Sequence, residues 1–195
     1  MHGKNRTIAS AGLFILGAFL QGAVGSGPAV GVSPVKKVEV LPESDGLRPG
    51  GSMRLVIKVS LGREFHVNSH VPNAEYLIPT SVEVVALDGL QAGEWEYPEP
   101  QTKKFAFSEE PLSIYEGSFM IRGALIAPSE TSPSQKQVRL ALKYQACTAE
   151  RCYPPKKEEV SLAVRVISRE TPTKPLHPEL FRSLGSPTSD AGDGC

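Results

Sequence analysis

Cysteine is scarce: three residues in 195, at Cys147, Cys152 and Cys195, far too few for a small scaffold held by many bridges. An excess of one charge is missing too. Lys and Arg number 21 against 21 Asp and Glu, interleaved along the chain, so the cationic surplus that binds nucleic acid by releasing counterions is absent. Apolar runs are short. The longest, Ile8 to Leu20, falls below the roughly 18 to 20 residues that a spanning helix needs. Beyond it no segment carries a long helical period, no internal repeat is visible, and no nucleophile triad, phosphate loop or paired-carboxylate arrangement stands out.

What is present begins with a leader. Lys4 and Arg6 precede the apolar run, and the small residues Ala23 and Gly25 follow at cleavage spacing, the three-part plan of a secretory signal peptide over residues 1–25. The alternative is a retained anchor ending near Val24. No cysteine follows the run to accept a lipid. The expectation is a soluble mature chain without a spanning segment, in a compartment that permits disulfides. Residues 30–168 have the length of one domain. Residues 169–195 turn rich in Pro, Ser, Thr and Gly, with a small apolar cluster at Leu176, Leu180, Phe181 and Leu184. They read as a flexible tail ending in an unpaired thiol, Cys195.

Period-two alternation dominates the middle. Met53, Leu55, Ile57, Val59 and Leu61 point one way, Arg54, Lys58 and Ser60 the other, which makes a half-buried strand. Further strands are expected at Val35 to Val40, Ser81 to Leu87, Phe105 to Phe107, Ser118 to Leu125, Val138 to Tyr144 and Val160 to Ser168, with a long loop from Ala127 to Lys136. Short strands broken by Gly, Pro and Asn clusters give an all-β sandwich.

The stretch YQACTAERCYPP, Tyr144 to Pro155, holds the only chemistry in view. If the pleat of Val138 to Tyr144 continues, Tyr144 lies in the core while Gln145 and Cys147 face outward, near solvent. Thr148 to Arg151 form a four-residue connection that sets Cys152 opposite Cys147. A non-hydrogen-bonded pair of this kind brings Cα atoms to about 4.5 Å, where a disulfide can close. Stability is a poor motive, since a loop of about six residues gains roughly 2 kcal/mol against about 4.7 for one of 100. Tyr153-Pro154-Pro155 ends pairing at once and holds Cys152 at the margin. A passive hairpin disulfide in a noncatalytic secreted binding module stays open as the alternative to a pair that exchanges.

The same stretch resembles the redox motif of the amino-terminal domain of the thiol:disulfide interchange protein DsbD. EFHVNSHVPNAEYLIPTSVEV, Glu64 to Val84, and WEYPEPQTKKFAFSEEPLSIYEGSF, Trp95 to Phe119, resemble other segments of that family, so the likeness runs from about Val35 to Ser168. It implies an immunoglobulin-like β-sandwich in the periplasm. It also implies exchange through Cys147 and Cys152 without a cofactor, and thioredoxin-like partners supplied by a membrane electron carrier. A membrane-embedded carrier and a thioredoxin-like domain accompany this domain in the best-known members and are not in this sequence, so the donor is expected to act in trans. The resemblance places a cap at Ile114, Tyr115 and Glu116, although LSIYEG lacks the acidic pair of some members. It makes the second cysteine the one that bonds to partners.

Roles within the pair follow from charge as well. Arg151, Lys156 and Lys157 flank Cys152, opposed by Glu150, and favour a thiolate there; Lys143 shares a strand face with Cys147. The hydroxyl of Tyr144 is expected to reach a partner near the site. His66 and His70 have a spacing compatible with zinc alongside the two cysteines, but the resemblance gives the sulfurs a redox use instead. A blue-copper site fails because no His or Met follows Cys152 before His177.

Overall fold

Alternation builds the framework of this chain. The computed structural model describes residues 33–182. Its strands are β1 (Val35–Pro42), β2 (Ser52–Leu61), β3 (His66–Asn68), β4 (Ser81–Ala86), β5 (Gln91–Ala92), β6 (Gln101–Lys103), β7 (Leu112–Glu116), β8 (Ser118–Ile126), β9 (Ser134–Tyr144), β10 (Ala146–Cys147) and β11 (Lys156–Val166). One helical turn, α1 (Pro178–Phe181), follows. Met53, Leu55, Ile57, Val59 and Leu61 are all buried and Arg54 is exposed, as one core-facing side of a strand requires.

Every ladder is antiparallel. The sheet orders are β1-β2-β8-β5, β11-β9-β4 and a small β10-β3-β7-β6. The inward residues of β2, β8, β9 and β11 meet in one cluster that also takes Val67, Tyr115 and Ala146 from the small sheet. The result is an immunoglobulin-like β-sandwich with a small sheet closing one end of the core.

Three expectations need correction. Phe105 to Phe107 do not form a strand: Ala106 and Phe107 make a turn in the segment joining β6 to β7. The loop expected over Ala127 to Lys136 is shorter, because Ser134 already pairs with Val166 and the β9–β11 ladder runs unbroken from there to Tyr144 and Lys156. The tail is not free where it is described. Leu176 N donates to Glu43 O at 2.7 Å, Asp45 N to Lys174 O at 3.1 Å and Arg48 Nη2 to Thr171 O at 2.9 Å, while Arg54 lies over the Phe181 ring. Backbone pairing and one cation–π contact hold this stretch where apolar burial alone is too small. The leader and Cys195 lie outside the described residues.

Candidate functional site

The β9–β11 ladder ends where the chain changes sheets. At Gln145 it leaves β9 and enters β10, which pairs with β3 in the small sheet, Ala146 opposite Val67 and Cys147 opposite His66. The Gln145 side chain fixes this crossing. Its Oε1 accepts from Asn68 Nδ2 at 3.1 Å and Ile78 N at 3.3 Å, and its Nε2 donates to Tyr153 O at 3.2 Å. Nothing in the sequence pattern marked Gln145 beyond its place before the motif.

Cys147 and Cys152 form a disulfide with Cα atoms 3.9 Å apart. Tyr153 N donates to Ala146 O and Thr148 N to Arg151 O, both at 2.8 Å. These bonds flank the two cysteines as a non-hydrogen-bonded pair, the closer of the two antiparallel types.

The alternation holds but the exposure does not. Ala146 joins the main core and Cys147 takes the opposite face, yet Cys147 is 0% exposed. Cys152 is half-buried. The outer face of the small sheet is covered, because His66, Asn68, Ile114 and Glu116 share it with Cys147 by register. A second apolar cluster of Leu77, Phe105, Leu112 and Ile114 packs there. Phe105 stacks on the His66 ring at 4.1 Å between centroids. Two segments carry this cover, the one after β3 and the one before β7, tied by Asn73 Nδ2 donating to Pro111 O at 2.6 Å.

Ile114 to Glu116, expected in a cap loop, are therefore strand residues of β7. Ile114 and Glu116 face the sulfur-bearing side, whereas Tyr115 faces the core and its hydroxyl accepts from His70 N at 3.3 Å. The backbone turns only after them, at Gly117 with φ 63°, a conformation that suits glycine. Tyr144 is buried and its hydroxyl, expected to reach a partner, donates to Glu158 Oε1 on β11 at 3.2 Å. Burial, reinforced by Glu158, holds that phenol well above its ordinary range.

Two of the three cations read as flanking Cys152 are engaged with other groups. Arg151 lies 5.0 Å over the Tyr153 ring, and Lys157 pairs with Glu83 at 3.0 Å, with Lys143 at 3.9 Å from the same carboxylate. Access, more than charge, distinguishes the two sulfurs. Tyr153 in turn meets Phe65 edge-on at 5.9 Å.

His66 and His70 part company. His66 stacks on Phe105, His70 lies flat on Tyr97 at 3.7 Å, and His70 Nδ1 bonds Thr80 O at 3.1 Å. Among the described residues no three His, Cys, Asp or Glu side chains gather as a metal site. Burial pushes His66 down to about 4, Glu116 acting upward and Lys103 downward. Lys103 Nζ and Glu116 Oε1 pair at 2.6 Å.

The family described as thiol:disulfide interchange protein DsbD, N-terminal, matches residues 37–164, more than half of the chain. Two solved structures are similar. One is the DsbD amino-terminal domain of Neisseria meningitidis in the reduced form, at 14% identity and a TM-score of 0.39, covering 70% of this chain and 90% of that one. The other is the amino-terminal periplasmic domain of ScsB from Proteus mirabilis, at 14% identity and a TM-score of 0.46, covering 67% of this chain and 49% of that one. The present chain thus spans about half of the ScsB domain. No curated protein sequence matches it.

Proposed function

The chain belongs to the family of the amino-terminal domain of the thiol:disulfide interchange protein DsbD, and on that premise we propose that Cys147 and Cys152 exchange disulfides with thioredoxin-like proteins in the periplasm. A membrane-bound carrier supplies the electrons. Among the described residues no helix is long and apolar enough to cross a membrane.

The observation that carries this reading is the asymmetry of the pair, with Cys147 sealed and Cys152 reachable. In the reduced protein a Cys152 thiolate attacks a partner disulfide, and one partner thiolate leaves as the mixed disulfide forms. Cys147 then attacks Cys152 Sγ, breaking the mixed bond and releasing the second partner thiolate. The lid of Phe105 and Leu77 keeps other thiols off Cys147 meanwhile. Ile114 and Glu116 line the floor beneath that lid, and Tyr115 and Tyr144 brace it from the core side.

Equilibration with glutathione or dithiothreitol tests the function. A potential within the glutathione range is expected, and one well below about −300 mV marks a structural disulfide and refutes exchange. Trapping tests the roles: Cys147→Ser accumulates a mixed disulfide through Cys152 with an oxidised thioredoxin-like protein, and Cys152→Ser accumulates little. The reverse pattern overturns the assignment.

A further inference from the structure

Cys147 does not sit alone on its face. Its cross-strand neighbour is His66, and directly opposed residues on one face of an antiparallel pair hold their Cβ atoms about 4.5–5.5 Å apart. His66 is only 2% exposed, its ring is stacked on Phe105, and its Nε2 is buried without a hydrogen-bond partner among the described residues. A buried polar atom left unanswered is costly and calls for an explanation. The charged groups that act on the ring are Glu116 from β7 and Lys103 from β6, and these pair with each other. From β10 it faces Cys147, and from the covering segment Phe105. The one group in this set that changes its hydrogen-bonding capacity during exchange is the Cys147 sulfur. In the disulfide it bears no proton; on reduction it gains an S–H.

We infer that His66 Nε2 is the hydrogen-bond and proton acceptor for Cys147 Sγ in the reduced protein. The inference rests on the exchange reading and deepens it. Because burial keeps the imidazole neutral at pH 7, a lone pair is available to the thiol. In the resolving step Cys152 Sγ is already bonded to the partner. The Cys147 S–H proton passes to Nε2 while the sulfur's electron pair forms the Cys147–Cys152 bond. The bond between Cys152 and the partner breaks with its pair on the partner sulfur, which takes the proton back from the imidazolium. His66 ends neutral. Over the full cycle, which starts from the Cys152 thiolate and the Cys147 thiol, two electrons and one proton pass from the pair to the partner, and reduction of the pair runs the same steps backwards.

His66→Phe tests this, since it keeps a ring against Phe105 and removes both nitrogens. The wild-type imidazole finds its partner only in the reduced state, so the variant shifts the glutathione equilibrium toward the disulfide by about five- to tenfold. Resolution of a preformed mixed disulfide slows by at least about tenfold. Either readout at its wild-type value in a folded variant overturns the inference. Should the variant fail to fold, nitrogen NMR of the wild-type protein decides. Reduction by dithiothreitol is expected to move the His66 ring resonances and leave those of His177 in place, and an unmoved His66 overturns the inference. A wild-type potential well below about −300 mV would instead sink exchange itself, while the resonances still report on His66.

Discussion

A neutral imidazole held inside the small sheet makes stability depend on pH. His66 titrates at about 4 in the folded protein, against an ordinary value of 6.5, because burial disfavours its charged form. The unfolded chain therefore binds a proton that the folded one refuses between those values. The contribution is fully present above about pH 6.5, is lost progressively as pH falls, and levels off below about 4. Its ceiling is roughly 3 kcal/mol, set by the gap between those two values. Denaturant unfolding of the oxidised protein at pH 7 and pH 4.5 is expected to show this loss, and His66→Phe to remove most of it. An equal loss in the variant assigns the pH dependence to other groups.

The elements around the sulfurs behave as floor and lid. The floor is the β10-β3-β7-β6 sheet, and the lid is the pair of segments that bring Leu77 and Phe105 over it. Phe105→Ala is expected to speed alkylation of the reduced pair several-fold, because it removes the ring stacked on His66 without touching the main core. An unchanged rate shows that the lid does not shield. The long strands were legible because buried positions recur two apart, from Met53 to Leu61 in β2 and from Val138 to Tyr144 in β9, with one added buried residue in each, Val56 and Ala141. The small sheet was not. His66, Val67 and Asn68 are buried in succession, as are Ala146 and Cys147, because core and lid cover both faces, and a strand covered on both faces has no alternation to read. Ile114 and Tyr115, which the resemblance places in a cap loop, are likewise buried in succession, so no alternation marks them as strand. The cysteine pairing, by contrast, depends on a four-residue turn, which is local, and the sequence carried it.

At the scale of the molecule, core and tail are separable. Residues buried in the core run from Val35 to Ile167, so removing residues 170–195 is expected to leave the fold intact. It does strip the bonds to Glu43, Asp45 and Arg48, worth about 1 to 2 kcal/mol in all at solvent-accessible positions, and lowers the melting temperature by a few degrees. A collapse of the melting transition would mean that the tail is part of the cooperative unit. The other end of the described chain lies elsewhere. Pro34 O accepts from Gly62 N at 2.8 Å, three residues before Phe65, whose ring meets Tyr153, the neighbour of Cys152. An affinity handle or surface tether fused just ahead of Ser33 therefore emerges on the side where a partner must approach Cys152, whereas one fused after Arg182 leaves from beside Arg54 of β2 and Arg122 of β8. Immobilised through its front end, the protein would hold its reactive sulfur against the support; immobilised through its back end, it would present that sulfur to solution.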